Sequence, residues 1–304
     1  MRSIVAIRTH KWTSEEERLL AALAPVFGDD VAVVFHNRAP RVYSPVPVID
    51  LNAEWVLRNK LALVPDWGWR CGDYFFYALR QARPDYDHYW LIEPDVYFTA
   101  AADSFFSAFT KQEHDALGYQ LGPFHKHMRF TRGLPGMAHF RAIFALTRFS
   151  GRALDRLFAQ RQQMAQGPVS MRDYPNDEIF AFSHIAADPE LISGRLEDHA
   201  PDWFADVQFS TDPDLLFDQV AATAAAGRVL HPVRGRAAFK KALSRRLAAN
   251  TGLLMNIREA IDHFEPSDVD DVVDGAAGHL RDAITELQER RALRRARRER
   301  LAKA

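Results

Sequence analysis

The chain has 304 residues, 47% of them hydrophobic and 26% charged, with a formal net charge of −1 and a single cysteine, Cys71. That length buries a sizeable core, and the composition is that of an ordinary globular protein. The charge gives no attraction to nucleic acid, one cysteine excludes an internal disulfide, and no run approaches the ~20 apolar residues that span a bilayer, so the chain reads as cytoplasmic.

Ser3 to Ile7 is a short β-rich run, interrupted by Arg8, Thr9 and His10 before it reaches the length of a signal peptide. Thr13-Ser14-Glu15-Glu16-Glu17 then reads as a capping box with Ser14 as N-cap and Glu17 three residues on. It opens a helix with Leu19, Leu20, Leu23 and Val26 on one face and Gly28 at its end. Asp30 to Phe35 is a second buried strand and Val46 to Ile49 a third. Continuous apolar strands separated by a helix predict a parallel sheet covered on both faces. Gly72 to Gln81 is expected to be a helix with Phe75, Phe76 and Leu79 inward, leading to a fourth strand, Tyr89 to Ile92.

That strand runs into Glu93-Pro94-Asp95. In an extended chain alternate side chains share a face, and proline ends a buried ladder, so two carboxylates project together from the strand's end. Such a pair holds one hard divalent cation or shares a proton. The structural alternative is a turn in which Asp95 bonds backbone amides.

Asp103 to Thr110 is a short helix, Ala116 to Leu121 a strand, Thr131 to Met137 a turn-rich loop, His139 to Leu146 a strand and Ser150 to Gln163 a helix. Asn176 is the N-cap of a further helix reaching Ile185, with a second acidic pair, Asp177 and Glu178, in its first turn. Acids there also suit the helix dipole. Residues 186–226 read as irregular, and Arg228 to Val233 as a last strand that presents His231, a core histidine or a third ligand for a manganese-like ion. Gly133 and Gly136 permit a ligand to approach backbone or make an ordinary turn. His125-Lys126-His127 is an exposed loop with alternating faces. Thr9, His10 and Trp12, with Asp73, are candidates to line a base or ribose pocket. From about Gly235 the chain becomes helical, with an amphipathic stretch over Lys240 to Phe264, another helix over Val269 to Leu287, and seven arginines between 290 and 300. That basic segment suits a solvated terminus or a peripheral contact with an anionic membrane.

Glu93-Pro94-Asp95 after an apolar strand, the Gly133 to Gly136 loop, Asp177-Glu178 at a helix start and the late His231 together resemble the GT-A class of nucleotide-sugar glycosyltransferases over roughly Ser3 to Arg234. The resemblance implies an α/β fold, a Rossmann-like GT-A open mixed sheet with helices on both faces, plus a C-terminal helical extension. It divides the chain into a catalytic domain, 1–235, and the extension, 236–304. It implies transfer of a sugar from a nucleoside-diphosphate sugar to a glycan or other hydroxyl acceptor, with Mn2+ or Mg2+. Glu-Pro-Asp reads as a DxD variant: Asp95 binds the metal, His231 completes its sphere, and Glu93 contacts ribose or a metal-bound water. Glu178 or Asp177 serves as base, as in inverting members. The first acid is Glu rather than Asp, and the later pair is Asp-Glu rather than Glu-Asp. Two other functions share the pattern: a metal-dependent nucleotidyltransferase, which uses a glycine-rich basic loop after the first strand, and a non-catalytic scaffold of the same fold.

Overall fold

In the computed structural model of this chain, residues 1–39, 44–125, 129–168, 170–206, 208–211, 214–239, 242 and 266–301 are described. Contacts divide it into two units, Met1–Ala242 and Leu243–Ala304. Residues just past 235 still bond into the first unit: Gly235 N donates to Glu15 Oε1 at 3.1 Å and Arg236 pairs with Asp218 at 2.6 Å.

The strands of the first unit are β1 (Ser3–Thr9), β2 (Val31–His36), β3 (Val48–Leu51), β4 (His88–Ile92), β5 (Tyr97–Phe98), β6 (Ala116–Pro123), β7 (Phe140–Ser150), β8 (Ser193–Arg195), β9 (Leu215–Leu216), β10 (Val229–Leu230) and β11 (Val233–Arg234). Seven form one sheet in the order β3-β2-β1-β4-β7-β6-β8. β1 to β4 are mutually parallel, β7 runs antiparallel to β4 and β6, and β8 is parallel to β6. The protein is therefore a Rossmann-like α/β fold with an open mixed sheet.

Helices cover both faces, and the strand sequences show why. Successive side chains of an extended strand point to opposite sides. Ile4, Ala6, Tyr89 and Leu91 enter one core with Phe75, Phe76 and Leu79 of the helix Asp73–Ala82 and Phe180 of the helix Asp177–Ala187. Val5, Ile7, Trp90 and Ile92 enter the other with Leu19 and Leu23 of the helix Ser14–Phe27. A strand apolar at every position is what two covered faces require.

Several local expectations shift. The capping box opens one residue early, with Thr13 as N-cap and Glu16 at its third position. Ser14 with Glu17 fits the pattern as well, but Glu16 is buried and accepts a hydrogen bond from Thr9 Oγ1 at 2.6 Å, so a tertiary contact fixes the frame. β3 starts two residues later than the Val46 run. The stretch 186–226 is not all irregular: it carries β8, whose three residues pair with β6 at the sheet edge. The last strand divides into β10 and β11 around the cis His231–Pro232 bond. Cys71 is buried, and burial pushes its thiol up to about 12.

In the second unit the described residues form one helix, Pro266–Leu301. The stretch Lys240 to Phe264 lies, apart from Ala242, outside the described residues. Among the described residues, no helix is long and apolar enough to cross a membrane.

Candidate active site

The sheet order reverses at β1, which has β2 on one side and β4 on the other, and this crevice beyond the carboxyl ends of parallel strands is where open α/β sheets bind ligands. Ile7 of β1 pairs with Ile92 of β4, so the residues that follow, Arg8 and Glu93, emerge side by side. Arg8 Nη1 lies 3.2 Å from Glu93 Oε1. The Glu93-Pro94-Asp95 turn is closed by Val96 N on the Glu93 carbonyl at 3.1 Å. β5 then pairs with β10, Tyr97 opposite Leu230, which delivers His231 beside the turn, and Val233 N donates to the Asp95 carbonyl at 2.7 Å. A histidine 136 positions from Asp95 in the sequence thus reaches it through a two-residue ladder.

His231 Nδ1 faces the Ser210 carbonyl at 2.6 Å, which fixes the ring and turns Nε2 to the acids, 3.4 Å from Asp95 Oδ1 and 3.7 Å from Glu93 Oε2. One ligand atom from each of Glu93, Asp95 and His231 lies within 4.8 Å of the other two. A cation with bonds of about 2.1 Å spans donors up to about 4.2 Å apart, so a small contraction closes the set. Asp95 Oδ1 is buried and, apart from the contact with His231 Nε2 at 3.4 Å, makes no hydrogen bond. Buried polar atoms are normally satisfied, and an ion is one of the few explanations for one that is not. The donor set therefore fits Mn2+ or Mg2+.

A cavity of about 330 Å³ opens on this cluster and is also lined by Asp177, Glu178, Arg8, Arg141 and Arg234. Asn176 caps the helix Asp177–Ala187 by accepting from Ile179 N, and the start of this helix lines the cavity. Asp177 is fully engaged there: Oδ1 accepts from Glu178 N at 2.8 Å, and Oδ2 accepts from Gly72 N at 2.9 Å and from Arg8 at 3.3 Å. Gly72 is needed for this approach, because a Cβ there would come 2.0 Å from Arg8 Nη1 and 2.3 Å from Asp177 Oδ2. Glu178 also lines the cavity and pairs with Arg141 Nε at 3.0 Å. On the opposite side Arg234 lies 3.1 Å from Asp95 Oδ2 and 2.5 Å from Asp214.

Burial opposes ionisation of Glu93 and Asp95, but neighbouring charge prevails: Arg8 and His231 hold Glu93 below its ordinary range, and His231 and Arg234 do the same for Asp95. Burial alone would lower His231; its two acids carry it up to about 10, and a cation held by the same acids would take the place of that proton. Arg8 serves two carboxylates with one charge. Glu93, with His231 as a second partner, stays ionised, while burial raises Asp177 to about 8 against the pull of Arg8. Burial also raises Glu178, against Arg141.

A raised acid has a definite consequence for stability. Asp177 binds its proton more tightly folded than unfolded, so its contribution is complete below its ordinary value of 3.8 and is lost as pH rises through about 8. Across that window the unfolding free energy is expected to fall by at most about 1.4 kcal/mol per pH unit from this group. Asp177→Asn should flatten the slope, whatever its absolute stability; urea denaturation across the window measures it, and an unchanged slope would exclude this protonation state.

The sequence-predicted residues divide. Glu93, Asp95, Asp177, Glu178 and His231 all line the cavity. Among the described residues, the lining does not include Thr9, His10 or Asp73. Thr9 is buried with its hydroxyl on Glu16, and His10 is exposed at the end of β1. Asp73 is a core residue: both oxygens pair with the fully buried Arg161, at 2.6 and 3.1 Å, and Tyr77 donates a third bond. Asp73 is 1% exposed, so these bonds rather than solvent surround its carboxylate. Trp12 packs against the hydrophobic core. Gly133 is close to protein rather than to a ligand, since a Cβ would meet the Asp173 carbonyl at 2.4 Å, and Gly136, at φ +75°, makes an open turn. Of the His125 cluster, residues 126 and 127 lie outside the described residues.

Sequence reasoning missed the arginines. Arg8 looks like a mere interruption of an apolar run, although a charged side chain at the end of a doubly covered strand is itself a signal, because it is buried there only with partners. Arg141 and Arg234 carry no comparable mark.

No family model matches the chain, and no curated protein matches it. Among solved structures, a Bacillus anthracis protein described as a glucose-1-phosphate thymidylyltransferase, in complex with a sucrose, is similar over 64% of this chain and 86% of that one, with a TM-score of 0.38 and 10% identity.

Proposed function

We propose that the protein is a metal-dependent glycosyltransferase that moves a sugar from a nucleoside-diphosphate sugar to an acceptor hydroxyl, with inversion at the anomeric carbon. The observation that carries this reading is the convergence of Glu93, Asp95 and His231, with Asp95 Oδ1 buried beside His231 Nε2, on the cavity that also holds Glu178. In this reading Asp95 and His231 hold Mn2+ or Mg2+. The metal, when bound, supplies positive charge to the diphosphate leaving group. Glu93, whose Oε1 is turned to Arg8, acts through ribose or a metal-bound water. Arg8 and Arg234 add fixed positive charge beside the leaving group, a preorganised electrostatic arrangement. Glu178 takes the proton from the acceptor hydroxyl as that oxygen bonds to the anomeric carbon and the bond from carbon to diphosphate oxygen breaks.

The nucleotidyltransferase reading draws on the same acids but uses a glycine-rich loop after the first strand, and Thr9-His10-Lys11-Trp12-Thr13 contains no glycine. The test is a thermal-shift panel of nucleoside diphosphates, their sugars and nucleoside triphosphates, with and without manganese. A manganese-dependent rise with one diphosphate is expected, equivalent to about 2.7 kcal/mol at a hundredfold excess over Kd. A response confined to triphosphates would transfer the assignment to nucleotidyl transfer. No manganese-dependent response to any of them would remove the catalytic reading and leave a scaffold.

A further inference from the structure

Among the described side chains of the helix Pro266–Leu301, Val273 (59%), Leu280 (36%), Ile284 (42%) and Leu287 (56%) are large, hydrophobic and exposed. At 3.6 residues per turn they fall within about 60° of one another, a single apolar strip with the spacing of a coiled-coil seam. Charge divides along the same helix. Residues 266–289 carry seven acids and one arginine, and residues 290–300 carry seven arginines and one glutamate. The helix is therefore acidic in its first part and strongly basic in its second.

From this pattern we infer that the helix Pro266–Leu301 is a self-association surface, pairing antiparallel with the same helix of a second copy of this chain. With Leu280 of one copy set against Leu287 of the other, Leu280, Ile284 and Leu287 of the two copies meet across the seam. Asp270 and Asp274 of each copy then come level with the segment Arg290–Arg298 of its mate. The interface is self-complementary, as two-fold symmetry requires. Parallel pairing would place both arginine runs side by side, where like charges exclude it. An anionic membrane suits the helix less well. A lipid-binding helix carries its cations alongside its apolar face, whereas residues 266–289, which bear this strip, hold seven acids against one arginine, a charge that such a surface repels.

Sedimentation velocity on the full chain tests the proposal. A dimer is expected that dissociates as salt is raised, because screening weakens opposite-charge contacts between exposed groups. Leu280→Glu with Leu287→Glu should leave a monomer whose helix content is unchanged, the side chains being exposed already. Arg294→Glu with Arg298→Glu should also weaken the dimer, and mixing it with Asp270→Arg, Asp274→Arg should restore association. A wild-type monomer at every concentration, a dimer indifferent to the leucine variant, or a dimer strengthened by salt would each overturn the antiparallel pairing. A monomer that cosediments with phosphatidylserine vesicles would instead give the helix to a membrane.

Discussion

Replacing Asp95 by alanine is expected to abolish the manganese-dependent stabilisation by nucleoside diphosphate. Asp95 Oδ1 is buried beside His231 Nε2 with no hydrogen bond of its own, while Oδ2 is held by Arg234, so the carboxylate is oriented with one oxygen in reserve. Removing a side chain that merely orients a ligand reduces metal affinity about 10–100-fold, so deleting the ligand itself should exceed that and take binding outside the range of the assay. Glu93→Gln should reduce affinity less, because Glu93 Oε1 is already committed to Arg8. The comparison is internally controlled. Asp95→Ala also leaves His231 and Arg234 with less negative charge around them, so its metal-free stability must be measured separately. A full manganese-dependent shift in a folded Asp95→Ala protein would dismantle the metal site, whatever happened to activity.

The extent to which this site is legible in the sequence depends on the range of each contact. Glu93 and Asp95 announce themselves locally, because an apolar run meeting acid-proline-acid has few structural uses. Asp177 and Glu178 are marked by the Asn176 cap, and the cap fixes where their helix begins. Nothing local distinguishes Asp73 from them: an acid opening a helix looks the same whether it meets a ligand or a buried arginine 88 residues away in sequence. The same holds for the capping frame, where two overlapping patterns compete and Thr9, on another element, settles the choice. Arg141 is paired with Glu178 across two elements, and Arg234 with Asp95 across more than a hundred residues, so neither pairing has a sequence period. β8 is three residues long and exists as a strand only because β6 offers an edge. The parallel half of the sheet was readable because burial on both faces writes itself as continuous hydrophobicity; the reversal at β7 leaves no such trace.

Glu178→Gln is expected to lower the rate of transfer by about 10²–10⁴-fold, the range for loss of a positioned general base, while leaving the manganese and nucleotide response intact. Two neighbouring acids compete for that role, and their surroundings separate them. Asp177 has both oxygens engaged by backbone amides and Arg8, and burial raises it to about 8, so near neutrality it has little charge to offer. Glu178 is held by Arg141, which lines the same cavity, and by a backbone hydrogen bond at Phe144, and both oppose the effect of burial. A carboxylate raised from its usual range but steadied by a guanidinium is better matched to accept a proton near neutrality than a fully solvated one. Because glutamine keeps the shape, the loss should appear in kcat with KM for the donor little changed. Proton NMR of the product reports whether the anomeric configuration inverts, as a single-displacement reaction with Glu178 as base requires. Full turnover in Glu178→Gln together with its loss in a stable Asp177→Asn would assign the base to Asp177. Retained configuration would remove the need for a base at either position and point to a different displacement altogether.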